Sequence, residues 1–300
     1  MGGIDEEEKW KTNLITRFSH VFAVLGLCLP LGCVTSLSMQ NGPFALDKGE
    51  HEVFASGGWT GHSQLLTTSY STGEDLWQQA QGEKQLSEEE FRNLMDTGLA
   101  WVLFFPGFNG EFAYRTGLPN WGWPKWDVGV RTDGQVLKYD LRMQFFEQGA
   151  QWKQAASLNV AHGVHMGIVN ETLSYLSLTD FSRHDFDIQL SYGLRYDEFF
   201  EFYGNPRFLL SYVDAESKLP ADLMAKMPEA LQEYDPSQFF QDVWLSYVGG
   251  GLGVRGGYKH VFIFAEASLL WLTFRPEVFG ETRDLSGLAF TPRIGLMTRF

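Results

Sequence analysis

The chain has 300 residues; 44% are hydrophobic, 15% aromatic and 20% charged, with a formal net charge of −14 at pH 7. It is too apolar to be disordered and too acidic to carry the basic footprint of a nucleic-acid binder. It also lacks the run of about eighteen apolar residues that marks a membrane-spanning helix. A globular protein or a β-barrel remains, and 32 glycines among abundant aromatics turn the choice toward β structure.

Residues 1–32 read as a signal peptide. Val21 to Gly32 is a twelve-residue apolar stretch, long enough for an h-region and short of a membrane span, and Lys9, Lys11 and Arg17 precede it. The ending Leu31-Gly32-Cys33 resembles a bacterial lipobox. That resemblance implies a lipoprotein anchor, with palmitate-type chains, on Cys33 as the first mature residue. Cleavage after a small residue such as Ser36 is the competing reading. Cys28 and Cys33 are the only cysteines, so the mature chain is expected to have no disulfide and no cysteine-based metal site. No cofactor is expected. Residues 33–47 are expected to form a periplasmic linker and residues 48–300 a barrel.

From about position 48 the sequence alternates with period two, as a strand with two unlike faces does. In chain order, such segments are expected at about 48–59, 107–118, 122–132, 135–147, 151–165, 183–196, 198–213, 241–257, 259–274 and 287–300. In the third, Trp126, Val128 and Val130 oppose Asp127, Gly129 and Arg131. In the fourth, Leu137, Tyr139, Leu141 and Met143 oppose Lys138, Asp140, Arg142 and Gln144. The sixth sets Phe186, Ile188, Leu190 and Tyr192 against Asp185, Asp187, Gln189 and Ser191. These segments exceed the soluble norm of about five or six residues and match the roughly nine to eleven that a tilted strand needs to cross hydrocarbon.

Connections alternate between short (118–121, 146–151, 196–198, 257–259) and long (60–106, 166–182, 214–240, 275–286), with the tight Asp133-Gly134 turn as the exception. Short turns at one end and long loops at the other are the pattern of a membrane barrel. Two long loops hold helical signals: the capping box Ser87-Glu88-Glu89-Glu90, and Leu223, Met224, Met227 and Leu231 at roughly helical spacing. The expected fold is therefore an all-β, antiparallel, transmembrane up-and-down barrel of about ten strands, with short helices in long extracellular loops. Eight or twelve strands are the alternatives, and a soluble lipocalin-like barrel is the architectural rival.

The chain ends Arg293-Ile294-Gly295-Leu296-Met297-Thr298-Arg299-Phe300. This resembles the C-terminal β-signal of Gram-negative outer-membrane β-barrel proteins, with Arg293, Gly295 and the terminal Phe300 at matching positions. The resemblance implies insertion into the outer membrane through the barrel-assembly machinery, with outer-membrane lipid as the surroundings and the C-terminus periplasmic. Trp126, Tyr139, Phe145, Phe186, Tyr192, Trp244, Trp271 and Phe300 would then form interfacial girdles.

If the apolar face meets lipid, the other face lines the lumen. From the earlier strands this places Glu111, Arg115, Asp127, Arg131, Lys138, Asp140 and Arg142 inside. From the later ones it places Asp185, Asp187, Arg195, Arg207, Glu266 and Arg293 inside. Buried charges of both signs must pair or be hydrated, so the lumen is expected to be plugged by an ion-pair network, or to hold a narrow water-filled pore or pocket. No metal set stands out: His162 and His165 are three apart and face opposite sides of a strand. Nothing matches a nucleophile elbow or a phosphate-binding loop, so no catalytic residue is assigned. Three functions are carried forward: a structural or small-solute binding or transport barrel, with a possible small-molecule ligand in its lumen or mouth; a surface protein binding partners through loops 60–106 and 214–240; and, weakest, a lipid hydrolase using His162 or His165 with Ser268 and Glu266.

Overall fold

A long strand with one polar and one apolar face hides one of them by curling its sheet into a closed cylinder. In the computed structural model, the described residues are 37–38, 42–63, 107–119, 122–166, 178–217, 243–278 and 281–300. They contain β1 (His51–His62), β2 (Gly107–Gly117), β3 (Lys125–Thr132), β4 (Val136–Gln148), β5 (Trp152–His165) and β6 (Leu178–Tyr196). Then come β7 (Phe200–Ser217), β8 (Val243–Tyr258), β9 (Val261–Phe274), the short β10 (Glu277–Val278) and β11 (Glu281–Thr282), and β12 (Gly287–Arg299). Ten of these close into a barrel in the order β1-β12-β9-β8-β7-β6-β5-β4-β3-β2, and β10 and β11 form a separate ribbon. Every pairing is antiparallel, and β1 seals the cylinder by pairing with both β2 and β12.

The expected segments coincide with the barrel strands to within a few residues, so ten replaces the alternatives of eight and twelve. The largest difference is at β6 and β7, which extend past residues 183 and 213 to a Leu178–Ser217 pairing. Beyond the apolar belt a strand need not alternate, so periodicity loses sight of its end while backbone pairing continues. The helical signals at 87–94 and 221–234 lie outside the described residues.

The turns follow local chemistry. Between β3 and β4, Asp133 Oδ1 accepts the amides of Gln135 (3.0 Å) and Val136 (2.8 Å), and Gly134 takes φ 88°. This Asx turn makes Asp133-Gly134 the one tight turn at the long-loop end.

The barrel is apolar outside and polar within. Ile263, Leu269, Trp271, Leu190 and Tyr139 are all about half exposed, whereas every second residue of β9, from Phe262 to Phe274, is buried. Outward aromatics pair near both ends of the strands: Trp152 with Tyr196 (4.8 Å) and Phe199 with Tyr258 (5.7 Å) at the turn end, and Tyr212 with Trp244 (4.9 Å) at the loop end. Aromatics in that position suit a membrane interface.

Candidate functional site: the filled lumen

Apolar groups and paired charges are packed together in the lumen. At the turn end, Phe54, Ala113, Phe262, Phe264 and Met297 form a buried apolar cluster. At the loop end, Leu209, Val213, Leu245, Leu270, Leu272 and Phe274 are buried on the inner faces of the neighbouring strands β7, β8 and β9. Charged groups share these heights: Arg183, Asp185 and Asp187 of β6 stand opposite Val213, Ser211 and Leu209 of β7. Twelve of the thirteen charged residues expected in the lumen are buried in it; the thirteenth, Arg195, has a side chain 15% exposed near the turn end.

The charges are organised around three aspartates. Asp127 pairs with Arg115 and Arg142, and Arg115 also pairs with Asp140. Asp187 pairs with Arg207 and, at 3.5 Å, with Arg131. Asp185 holds Arg183 at 2.8 Å and Lys138 at 3.6 Å. Arg293 lies 3.5 Å from Glu111, and Glu266 accepts the Tyr203 hydroxyl at 2.7 Å. A second cluster at the turn end joins Glu201 to Arg195 and Arg255, and Glu52 to Arg255 and Arg299. Guanidinium–carboxylate pairs suit such a place because their planar forks satisfy several lone pairs at once.

Sequence reasoning missed Glu52, Arg183, Glu201, Arg255 and Arg299. Residues 33–47 were expected to form a periplasmic linker; of these, the described residues 37, 38 and 42–47 form a strap whose contacts are with lumen-facing side chains. Leu37, Ser38, Phe44 and Leu46 are buried. Arg207 Nη1 donates to the carbonyls of Leu37 (2.8 Å) and Ser38 (3.2 Å), and Ser268 Oγ donates to Leu37 O at 3.0 Å. Arg142 Nη1 donates to Gly42 O at 2.6 Å. Gln144 accepts the Ala45 amide (2.7 Å) and Asp127 the Leu46 amide (2.9 Å). The Arg195 guanidinium covers the Phe44 ring at 3.8 Å, a cation–π contact. Guanidinium groups of the wall thus donate to strap carbonyls as well as to wall carboxylates.

The wall is notched for the strap. A Cβ on Gly117 would run into the carbonyl of Asp47 and come within 2.9 Å of that of Leu46, and one on Gly193 would lie 2.9 Å from Pro43. Gly117→Val is therefore expected to dislodge the strap's exit, and with it the Asp47–Lys125 pair at 2.9 Å, while leaving the buried ion pairs of the lumen in place. In hydrogen-exchange mass spectrometry the amides of Ala45 and Leu46 should exchange at least about tenfold faster than in the unaltered protein. Unchanged exchange would mean that the notch does not position the strap.

The remaining sequence candidates have other surroundings. Ser268 and Glu266 face the lumen, each with the partner given above, whereas His162 stacks on Phe186 (4.9 Å) and His184 (5.7 Å) on the outer face. The structure thus separates His162 from Ser268 and Glu266, and β5 ends at His165 beside Val136 of β4. Gly295 lies where a Cβ would come within 2.6 Å of Ala55 O and closer still to the Phe264 ring, at the β1–β12 seam. Phe300 exchanges backbone hydrogen bonds with His51 (2.8 and 3.0 Å), securing the end of β12 to the start of β1. Cys33 lies outside the described residues.

No protein-family model matches the chain, and no curated protein matches it. Solved structures of small barrels are similar to it. Ail, the attachment invasion locus protein of Yersinia pestis, in complex with the heparin analogue sucrose octasulfate, shares 10% identity over 84% of this chain and 99% of its own, with a TM-score of 0.30. Neisserial surface protein A shares 8% over 83% and 94%, with a TM-score of 0.29. The outer membrane protein OprG from Pseudomonas aeruginosa shares 10% over 85% and 98%, with a TM-score of 0.28. All three are Gram-negative outer-membrane β-barrels.

Proposed function

We propose that the protein is a barrel of the Gram-negative outer membrane that rests closed, acting as a structural and binding element rather than as an open pore. Short turns and the C-terminus would face the periplasm, and the long loops the exterior. The observation that carries this reading is the occupied lumen, in which buried apolar side chains, paired charges and the strap pack together. The exposed apolar belt between aromatic pairs supports the membrane setting, because water-facing surfaces seldom carry so many large apolar side chains together. Gly295 and Phe300, placed at the β1–β12 seam, are consistent with recognition of the last strand during assembly. Any solute passage would require the strap to move.

Planar-bilayer recording tests the reading. The intact protein should insert and stay electrically silent. Steady conductance from the intact barrel would overturn the closed lumen, and failure to insert at all would overturn the membrane assignment.

A further inference from the structure

The strap is held in an unusual way for a segment of its own fold. The wall reaches it chiefly through its backbone. Arg207, Arg142 and Ser268 donate to the carbonyls of Leu37, Ser38 and Gly42, and Gln144 and Asp127 accept the amides of Ala45 and Leu46. Such backbone contacts read an extended peptide much as an edge strand reads an added strand. Side-chain selection adds to this: Leu37 and Leu46 are buried, Phe44 lies under Arg195, Ser38 Oγ donates to Glu111 at 2.6 Å, and at Gly42 a Cβ would strike the Glu201 carboxylate.

Two further observations separate the strap from the wall. The main carboxylates of the groove are already paired with wall cations: Asp127 with Arg115 and Arg142, Asp187 with Arg207, and Glu201 with Arg255. The cylinder itself closes through strand pairing that involves no strap residue. The strap also leaves by an open door, since Asp47, Lys48 and Gly49 are exposed where the chain turns into β1.

From these contacts we infer that the lumen is a peptide-binding groove, occupied in the resting protein by its own residues 37, 38 and 42–46 and able to take an extended peptide in trans. The ligand enters at the turn end with its amino end leading, as the strap does. It places an aromatic ring under Arg195 and a glycine against Glu201. The inference rests on the closed-lumen reading above and assigns its occupant.

The test uses the full chain with a protease site inserted between Lys48 and Gly49, folded into detergent or vesicles and then cut. A fluorescein-labelled peptide of residues 35–47 is added, and fluorescence anisotropy follows its uptake. Saturable uptake, chased by unlabelled peptide, is the expected result. The peptide carrying Gly42→Val should bind at least about tenfold more weakly, and the Phe44→Ala peptide should also lose affinity. A barrel beginning at Lys48 should take up the same peptide if it folds, as judged by its heat-dependent gel mobility; the cut barrel decides the matter if it does not. Absence of exchange in the cut barrel, or uptake indifferent to both substitutions, would overturn the groove. An intact barrel that conducts would instead remove the closed-lumen reading beneath it, so the two failures are distinct.

Discussion

Asp127→Ala is expected to lower the unfolding stability of the barrel by about 3–5 kcal/mol. The Asp127 carboxylate accepts hydrogen bonds from Arg115, from Arg142 and from the Leu46 amide, and it is fully buried. Without it, Arg115 keeps Asp140, but Arg142 is left with the Gly42 carbonyl as the partner that faces it from the strap. A buried guanidinium stripped of its counter-charge keeps its desolvation penalty and loses the attraction that offset it. The same substitution loosens the strap at Leu46, so the effect joins the wall network to the plug. Urea unfolding in lipid vesicles, followed by tryptophan fluorescence, measures the difference. Glu198→Ala, at an exposed carboxylate in the turn between β6 and β7, should change stability by no more than about 0.5 kcal/mol. A loss at Asp127 below about 1 kcal/mol would mean that water solvates the two guanidiniums, which a filled lumen does not allow.

The barrel was legible because its signal is local. Alternation in a single strand reveals which residues share a face, and closure follows once every strand has an apolar side to hide from water or present to lipid. The same parity could have been carried further. Arg183 stands two residues before Asp185, and Glu201 lies on the face of Arg207, so both belonged to the expected lumen set by spacing alone. Glu52, Arg255 and Arg299 were harder, because at the turn end the inner face mixes charges with Phe54, Phe262 and Phe264, and polarity no longer marks which side is inside. The strap was illegible for a different reason. Residues 37–46 carry no periodic pattern, and what the wall grips at Leu37, Ser38, Gly42, Ala45 and Leu46 is backbone, which every sequence possesses. The indirect clue was the balance of the expected lumen residues, in which bases outnumber acids and therefore call for acceptors from somewhere other than the wall. Gly117 and Gly193 were a second clue whose meaning depends on which segment passes over them, and that is a property of the fold.

Leu190→Arg is the substitution that separates a membrane barrel from a soluble one of the same shape. Leu190 points outward near the middle of β6, opposite Leu158 of β5, and is 47% exposed. In water, a leucine already half exposed is replaced by arginine at a cost within about 0.5 kcal/mol. In hydrocarbon, the guanidinium near the midplane costs about 2–4 kcal/mol, and the cost falls to about 0–1 kcal/mol near either interface. The informative quantity is thus a profile. Val261, exposed at the turn-end start of β9, lies close to Tyr258 and Phe300, where an interfacial girdle would stand, and Val261→Arg should be nearly neutral. Neither substitution touches the lumen charges, so strap and network stay intact and the difference reports the surroundings alone. Urea unfolding in vesicles should show Leu190→Arg destabilised by at least about 2 kcal/mol relative to Val261→Arg. Equal, near-zero effects at both depths would place the apolar belt in contact with water, and the girdles at the strand ends would then need an explanation other than a bilayer.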